Sequence, residues 1–298
     1  MKIIITGISG FVGQNLNTYL HQMGNEIIPL SLRDPVWEEN FPATAIALIH
    51  LAGKAHDTSN TSKPEDYLII NRDLTIKLFN KFLKSEIRDF IYFSSVKAVA
   101  DSLEGVLHEN FAANPLTPYG KSKIEAEKYL LGQKLPMGKR LFIIRPCMIH
   151  GPGNKGNLNL MYKVVKKGIP WPLAAFHNQR SFLSIDNLSF LVEKMINKVE
   201  LTSGIYNFAD DNALSTNELV NLISGTLGQK TKLWAIPPLI VKLVAKIGDY
   251  LPFPLNSERL KKLTESYLVS NSKIKKDLQI TNLPISSKDG LIKTFRSF

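Results

Sequence analysis

A short apolar run, Lys2–Thr6 (KIIIT), leads directly into Gly7-Ile8-Ser9-Gly10-Phe11-Val12-Gly13. No other feature constrains the fold of this chain so strongly. Gly7 permits a tight turn, Gly10 lets backbone approach a bulky anion, and Gly13 lets a helix lie close against the strand. Val12, Leu16, Tyr19, Leu20 and Met23 recur at steps of three and four, so the spacing predicts a helix over 11–23. The start of that helix would present unpaired N–H groups and a positive dipole end to a pyrophosphate. A glycine triplet alone is weak; one set between a first strand and an amphipathic helix has the right context.

Apolar strands and helical stretches then alternate, as a parallel sheet covered on both faces requires. Strands are predicted over 26–30, 46–51, 89–94 and 141–145, with helices over 64–83 and 118–131. The C-terminal half is more mixed, with a helix over 157–167, a strand and helix across 180–198, and a strand over 204–209. Ser215 and Glu218 form an S-x-x-E capping box for a further helix. The expected architecture is α/β: a Rossmann-type doubly wound parallel sheet from residues 1–155, then a smaller mixed α+β lobe over 156–298. Residues 180–210 should return partly to the sheet. Only the stretch 32–45 separates the second and third strands. A single parallel crossover takes a dozen or more residues. The outer third strand usual in such sheets should therefore be missing or vestigial.

Thirty-seven Lys and Arg against 26 Asp and Glu leave a formal charge of +11. The lysines are dispersed and not interleaved with aromatics, so no nucleic-acid partner is expected. A basic surface favouring anionic small molecules is the simpler reading. With 44% hydrophobic and 21% charged residues the chain is neither disordered nor low in complexity. The lone Cys147 excludes an internal disulfide and points to a reducing, cytoplasmic setting. No apolar run suffices for a spanning helix, so no stable membrane insertion is expected. PPLIVKLVAKIGDYL (237–251) comes nearest, but it carries Lys242 and Lys246 and reads as a packed or partner-facing amphipathic helix. No His, Cys or Asp spacing suggests a metal.

Tyr119-Gly120-Lys121-Ser122-Lys123 places a phenol and an ammonium four residues apart at the start of a predicted helix, hence on one face. The ammonium should lower the tyrosine pKa from its usual value of about 10. Such a phenol can move a proton at a carbinol or carbonyl oxygen. Ser94 and Ser95, at the end of a strand some 24 residues earlier, can bring a hydroxyl to the same oxygen. After the second strand, Ser31 stands where an acid would grip the ribose of NAD, and Arg33 lies two residues on. That pair suits a 2′-phosphate, so NADP(H) is favoured over NAD(H), although Asp34 could turn back to the ribose.

TGISGFVG (6–13), IHLAG (49–53), Asn71, FSSVKA (93–98), PYGKSKIEAE (118–127), IIRPCMIHGPG (143–153) and RSFLSIDNL (180–188), in that order, resemble the extended short-chain dehydrogenase/reductase family. The resemblance is to its nucleotide-sugar epimerases, dehydratases and ketoreductases. Through SSVK, HGPGNKGN and NQRSFLSIDNL the chain is similar to bacterial UDP-hexose 4-epimerases and 4-keto reductases of polysaccharide pathways. The resemblance implies NAD(P)-dependent hydride transfer at C4 of a UDP-hexose or UDP-N-acetylhexosamine. Tyr119 would be the acid/base, Lys123 would lower its pKa and hold the nicotinamide ribose, and Ser95, or else Ser94, would bond the reacting oxygen. Gly7, Gly10, Phe11, Gly13, Arg33, Leu51, Ala52 and Gly53 would line the cofactor, and Asn71 would support the active-site helix. Asn157, Arg180, Lys155 and Lys97 would meet the nucleotide diphosphate, with Lys54 and His56 as lesser candidates to reach the cofactor or sugar. A homodimer through the helices over 64–83 and 118–131 is also implied.

Two departures bear on this reading. Dehydratases of the family carry an Asp-Glu pair where Val96-Lys97 stands, which disfavours a 4,6-dehydratase. Loss of the outer strand removes a usual adenine contact. Trp37 or Phe41 could cover the base, and weaker dinucleotide retention would favour a reductase that exchanges NADPH. The alternative outside enzymology is a dinucleotide-sensing or RNA-associated relative. The complete Ser95/Tyr119/Lys123 set argues against it.

Overall fold

The computed structural model describes residues 1–54, 63–154, 156–251 and 255–298. His56 and Lys155 lie outside them. The first half runs β1 (Lys2–Thr6), α1 (Phe11–Gln22), β2 (Glu26–Leu30), β3 (Ala47–His50), α2 (Pro64–Tyr67), a π-helical turn (Leu68–Asp73) and α3 (Leu74–Leu83). Next come β4 (Asp89–Phe93), a 3-10 turn (Val96–Ala98), β5 (Val106–Leu107), α4 (Pro118–Leu131) and β6 (Arg140–Pro146). The remainder is β7 (Met148–His150), α5 (Asn157–Lys166), β8 (Phe182–Ser184), α6 (Ile185–Asn197), β9 (Gly204–Phe208) and α7 (Thr216–Thr226). It ends with α8 (Pro238–Ile247), α9 (Ser257–Thr264), β10 (Leu268–Val269), α10 (Ser272–Leu278) and α11 (Ser287–Arg296).

The main sheet has the order β2-β1-β3-β4-β6-β9 with every pair parallel. Its central strands are buried on both faces, which is why Ile3–Ile4–Ile5 and DFIYF are continuous apolar runs rather than alternating ones. Residues 31–46 contain no strand, so the sheet ends at β2 as the short spacing requires. Trp37 takes over the vacant flank. Only 6% exposed, it sits in one cluster with Ile4, Leu30, Leu48, Leu78 and Phe79, and Phe41 packs against the same cluster. This corrects the expectation that Trp37 covers an adenine: the side chain is committed to the core.

The helix expected over 64–83 is interrupted by the π turn, which turns the polar Asn71 into the interior at 0% exposure. Single-turn π segments commonly mark functional positions. Farther on, α6 packs beside α1 and β9 adds to β6, so residues 185–208 return to the sheet. A second apolar cluster joins α5, α7 and α11 through Leu158, Leu219, Ile223, Leu291 and Phe295. The capping box is formed: the Glu218 N–H reaches Ser215 Oγ at 3.1 Å, and the Ser215 N–H reaches the Glu218 carboxylate at 2.8 Å.

Candidate active site

The carboxyl ends of β1, β3 and β4 meet along one edge, where a parallel sheet opens a crevice for ligands. Gly7, at φ +70°, begins the glycine turn, and a Cβ there would lie 2.7 Å from the Ala52 nitrogen. Glycine alone lets the turn pass the end of β3. A Cβ on Gly13 would lie 2.6 Å from the Ile8 Cα, so α1 starts flush against the turn. Gly10 caps α1 without a side chain, and the first turn carries no acid. Its donors and the helix dipole therefore favour an anion. Leu51 and Ala52 are tied to β1 by N–H groups reaching the Thr6 carbonyl (3.3 Å) and the Thr6 hydroxyl (3.1 Å). Beside Gly53 a Cβ would meet Asn71 Oδ1 at 2.9 Å and Lys123 Nζ at 3.4 Å. The open helix start and this narrow gap fit a dinucleotide. Gly7, Gly10, Phe11, Gly13, Leu51, Ala52, Gly53, Asn71 and Lys123 are thus gathered on one edge, while Arg33 is exposed past the end of β2.

Asn71 fastens the loop after β3 to α4. Its Oδ1 accepts the Lys54 N–H at 2.7 Å, and its Nδ2 donates to the Lys54 carbonyl and to Ser122 Oγ, both at 3.1 Å. Ser122 in turn donates to the Tyr119 carbonyl at 2.8 Å. The start of α4 is fixed from the other side. Thr117 caps it, accepting the Gly120 N–H at 3.2 Å, and Asp101 accepts the Leu116 N–H at 2.7 Å. Gly120 faces the Lys97 carbonyl so closely that any Cβ would collide with it, and with Pro115 at 2.8 Å. That contact seats α4 against the 3-10 turn and brings the Tyr119 hydroxyl close to that of Ser95. The Ser95 oxygen also accepts the Lys97 N–H at 3.1 Å. Ser94 is turned the other way, buried and donating to the Glu127 carboxylate. Of the two serines, Ser95 is the one beside Tyr119.

The charge pattern corrects one expectation. Burial raises the Tyr119 phenol above its ordinary value; the nearby Ser95 hydroxyl offsets part of this, and Tyr67, edge-on at 6.3 Å, adds to it. Lys123 does not acidify the phenol here. Its ammonium donates to the Phe93 carbonyl at 2.9 Å and lies over the Tyr92 ring. Burial lowers its pKa to about 8, against the supporting charge of Glu127 one turn along. The arrangement holds a protonated phenol beside a hydroxyl, with a titratable ammonium next to it.

Toward the C-terminal lobe the 3-10 turn is braced by Tyr267, whose hydroxyl donates to the carbonyls of Ala100 (2.7 Å) and Val96 (3.1 Å). Lys97 lies over the Tyr267 ring at 4.3 Å, near enough to Arg180 for that charge to help depress its pKa, after burial as the main cause. Arg180 is therefore in the neighbourhood, but its Nε donates to the Glu265 carbonyl at 3.0 Å and its Nη2 to that of Lys262. Asn157 is the first residue of α5. Cys147 is buried and its thiol pushed up, first by burial. His150 is buried against Thr294 at 2.9 Å. Among the described residues no cluster of His, Cys, Asp or Glu could hold a metal.

Sequence reasoning passed over three contributors: Gly120, Asp101 and the buried Glu127–Arg145 pair. Arg145 meets both Glu127 oxygens through Nε at 3.1 Å. Glu127 did carry a signal, because it lies four residues beyond Lys123 on the same helical face.

Comparison with known proteins agrees with this geometry. The model of a family described as "NAD dependent epimerase/dehydratase family" matches residues 3–209. A UDP-glucose 4-epimerase of Vibrio cholerae is 29% identical over 273 residues, covering 83% of this chain and 82% of that protein. An N-acetyl-α-D-glucosaminyl-diphospho-ditrans,octacis-undecaprenol 4-epimerase of Escherichia coli O157:H7 is 27% identical over 298 residues, covering 92% and 85%. The structure of RMD from Pseudomonas aeruginosa complexed with NADPH superposes with a TM-score of 0.76 at 21% identity, covering 99% and 98% of the two chains.

Proposed function

We propose, from the premise that the chain belongs to the NAD-dependent epimerase/dehydratase family, that it transfers hydride at C4 of a UDP-hexose or UDP-N-acetylhexosamine. The observation that carries this reading is the nearness of the Ser95 and Tyr119 hydroxyls, set beside Lys123 on the edge that also bears the glycine turn. A bound nicotinamide dinucleotide supplies or accepts the hydride. The first turn of α1 would hold its pyrophosphate, and Gly53, Asn71 and Lys123 would border its nicotinamide end.

Tyr119 keeps its proton at neutral pH because burial raises its pKa. It is thereby ready to protonate the oxygen of a 4-keto sugar as the carbonyl is reduced. Ser95 orients the phenol and shares the same oxygen. Lys123 stands by with a pKa near 8, able to hold or release a proton in the working range. Run backwards, the same groups take the proton from a C4 hydroxyl. A 4-epimerase performs both halves, and a 4-keto reductase only the protonating one. Lys97 and the neighbouring Arg180 would meet the diphosphate.

NADP(H) is the dinucleotide of this reading. Asp34 accepts the Val36 N–H at 3.0 Å, closing its own turn instead of reaching back toward a ribose. Arg33 is exposed beside it and suits a 2′-phosphate.

The test is incubation of the purified chain with UDP-glucose and UDP-N-acetylglucosamine, with products read by anion-exchange chromatography and NMR. Epimer formed without added dinucleotide identifies the full cycle. Consumption of a UDP-4-keto-hexose only when NADPH is added identifies the reductive half. No conversion of any of these with NAD(H) or NADP(H) would overturn the reading.

A further inference from the structure

The outward face of α8 has the wrong polarity for an ordinary surface helix. A helix lying on a core turns its apolar stripe inward and its polar side to water. α8 does rest on the C-terminal lobe through Val241 and Ala245, which are 5% and 0% exposed. Yet Leu239, Ile240, Leu243 and Ile247 are 81%, 53%, 61% and 49% exposed. At about 100° per residue these four share one stripe opposite the buried edge. Tyr250 and Leu251 continue it beyond the helix, and Trp234 precedes it. The sequence pattern favoured a packed or partner-facing helix; the structure packs only its small inner edge.

Charge indicates what this face meets. Lys242 and Lys246 flank the stripe, and the exposed Lys230 and Lys232 stand just before it. Across the Gly168 turn, whose carbonyl Lys232 reaches at 3.3 Å, lie Lys166 and Lys167. The nearby acids are already engaged: Asp249 accepts from Ser257 at 2.6 Å, and Glu258 and Glu265 pair with Lys262 (2.6 Å) and Lys261 (3.9 Å). An apolar stripe with aromatic ends and a lysine margin has the design of a helix lying in a membrane interface. A second copy of the chain fits less well, since two-fold pairing on α8 would bring four lysines together in a protein of charge +11. Spanning is excluded for α8, a ten-residue helix where about 20 apolar residues are needed.

We propose that α8 and its lysine margin dock the protein on the surface of an anionic phospholipid bilayer, with Leu239, Ile240, Leu243 and Ile247 sunk to the level of the acyl boundary. The surface contains none of the residues assigned to hydride transfer, so this inference and the catalytic reading stand or fall separately.

The full chain is mixed with vesicles of phosphatidylcholine alone, or of phosphatidylcholine with one third phosphatidylglycerol, and bound protein is measured by flotation. Binding to the phosphatidylglycerol vesicles is expected, falling about tenfold or more from low to high salt and by a similar factor in Lys242→Glu/Lys246→Glu. Leu243→Glu/Ile247→Glu should abolish it. Circular dichroism and solution turnover should be unchanged in both variants. The proposal is overturned if the wild type ignores phosphatidylglycerol vesicles at low salt, or if Leu243→Glu/Ile247→Glu still binds them. It is equally overturned if the wild type is a dimer that Leu243→Glu/Ile247→Glu makes monomeric while neither floats with vesicles.

Discussion

Replacing Glu127 by glutamine removes one charge and little else, and the structure gives the consequence in two measurable quantities. The carboxylate is fully buried, and Arg145, its partner, is 3% exposed. Three guanidinium contacts converge on it, Nε to both oxygens at 3.1 Å and Nη2 to one at 2.5 Å, and Ser94 donates to it as well. Glutamine fills the same space but leaves Arg145 buried without a counter-charge, a change that costs about 3–5 kcal/mol. For a chain of 298 residues, an unfolding entropy of about 2.1 cal/mol/K per residue turns that into a fall in Tm of about 5–8 °C. The second quantity concerns Lys123, whose pKa of about 8 reflects burial pulling it down and Glu127 holding it up. Without the carboxylate its pKa drops further, so the ammonium persists only to a lower pH. The alkaline limb of turnover should then move toward acid. Differential scanning fluorimetry and a pH–rate profile read the two effects. A Tm loss under about 2 °C would refute the buried-pair reasoning, and an unmoved alkaline limb would refute the coupling to Lys123.

Lys123→Met should lower turnover by about 100-fold or more while leaving Tm at pH 7 equal or higher. The folded pKa near 8 lies below the ordinary 10.5, so the buried ammonium costs stability at neutral pH and that cost fades only as pH rises from 8 to 10.5. A lower Tm in the variant would contradict this sign. Trp37→Ala should cost about 3–5 kcal/mol in denaturant titration with kcat unchanged, because the ring fills the flank left by the absent strand. Loss of kcat without loss of stability would return Trp37 to the cofactor. Arg33→Ser should reduce the NADPH-over-NADH preference in kcat/KM about tenfold, as loss of one charge-assisted contact does. An unchanged ratio would remove Arg33 from cofactor choice.

What could be read from the sequence was what depends on distance along the chain. The gap before β3 is too short for two crossovers, and the structure has no strand there. Likewise Tyr119 and Lys123, four apart, share a helix face. What could not be read depends on the third dimension. The phenol was expected to be acidic, but burial, with Tyr67 beside it, raises it instead. Arg180 reads as an unengaged cation in the sequence, whereas its Nε and Nη2 also brace carbonyls 85 and 82 residues away. Ser94 and Ser95 are equivalent as letters; the strand exit sends one to Glu127 and the other to Tyr119. The apolar period of α8 was visible, but not which side of it meets the lobe.

The direct trial of the account is Tyr119→Phe, which deletes one oxygen and leaves the ring in place. Turnover of the C4 substrate should fall by about 10²–10⁴ while dinucleotide affinity changes less than about threefold. A phenylalanine variant within about tenfold of wild-type kcat would contradict the assignment of the proton to Tyr119.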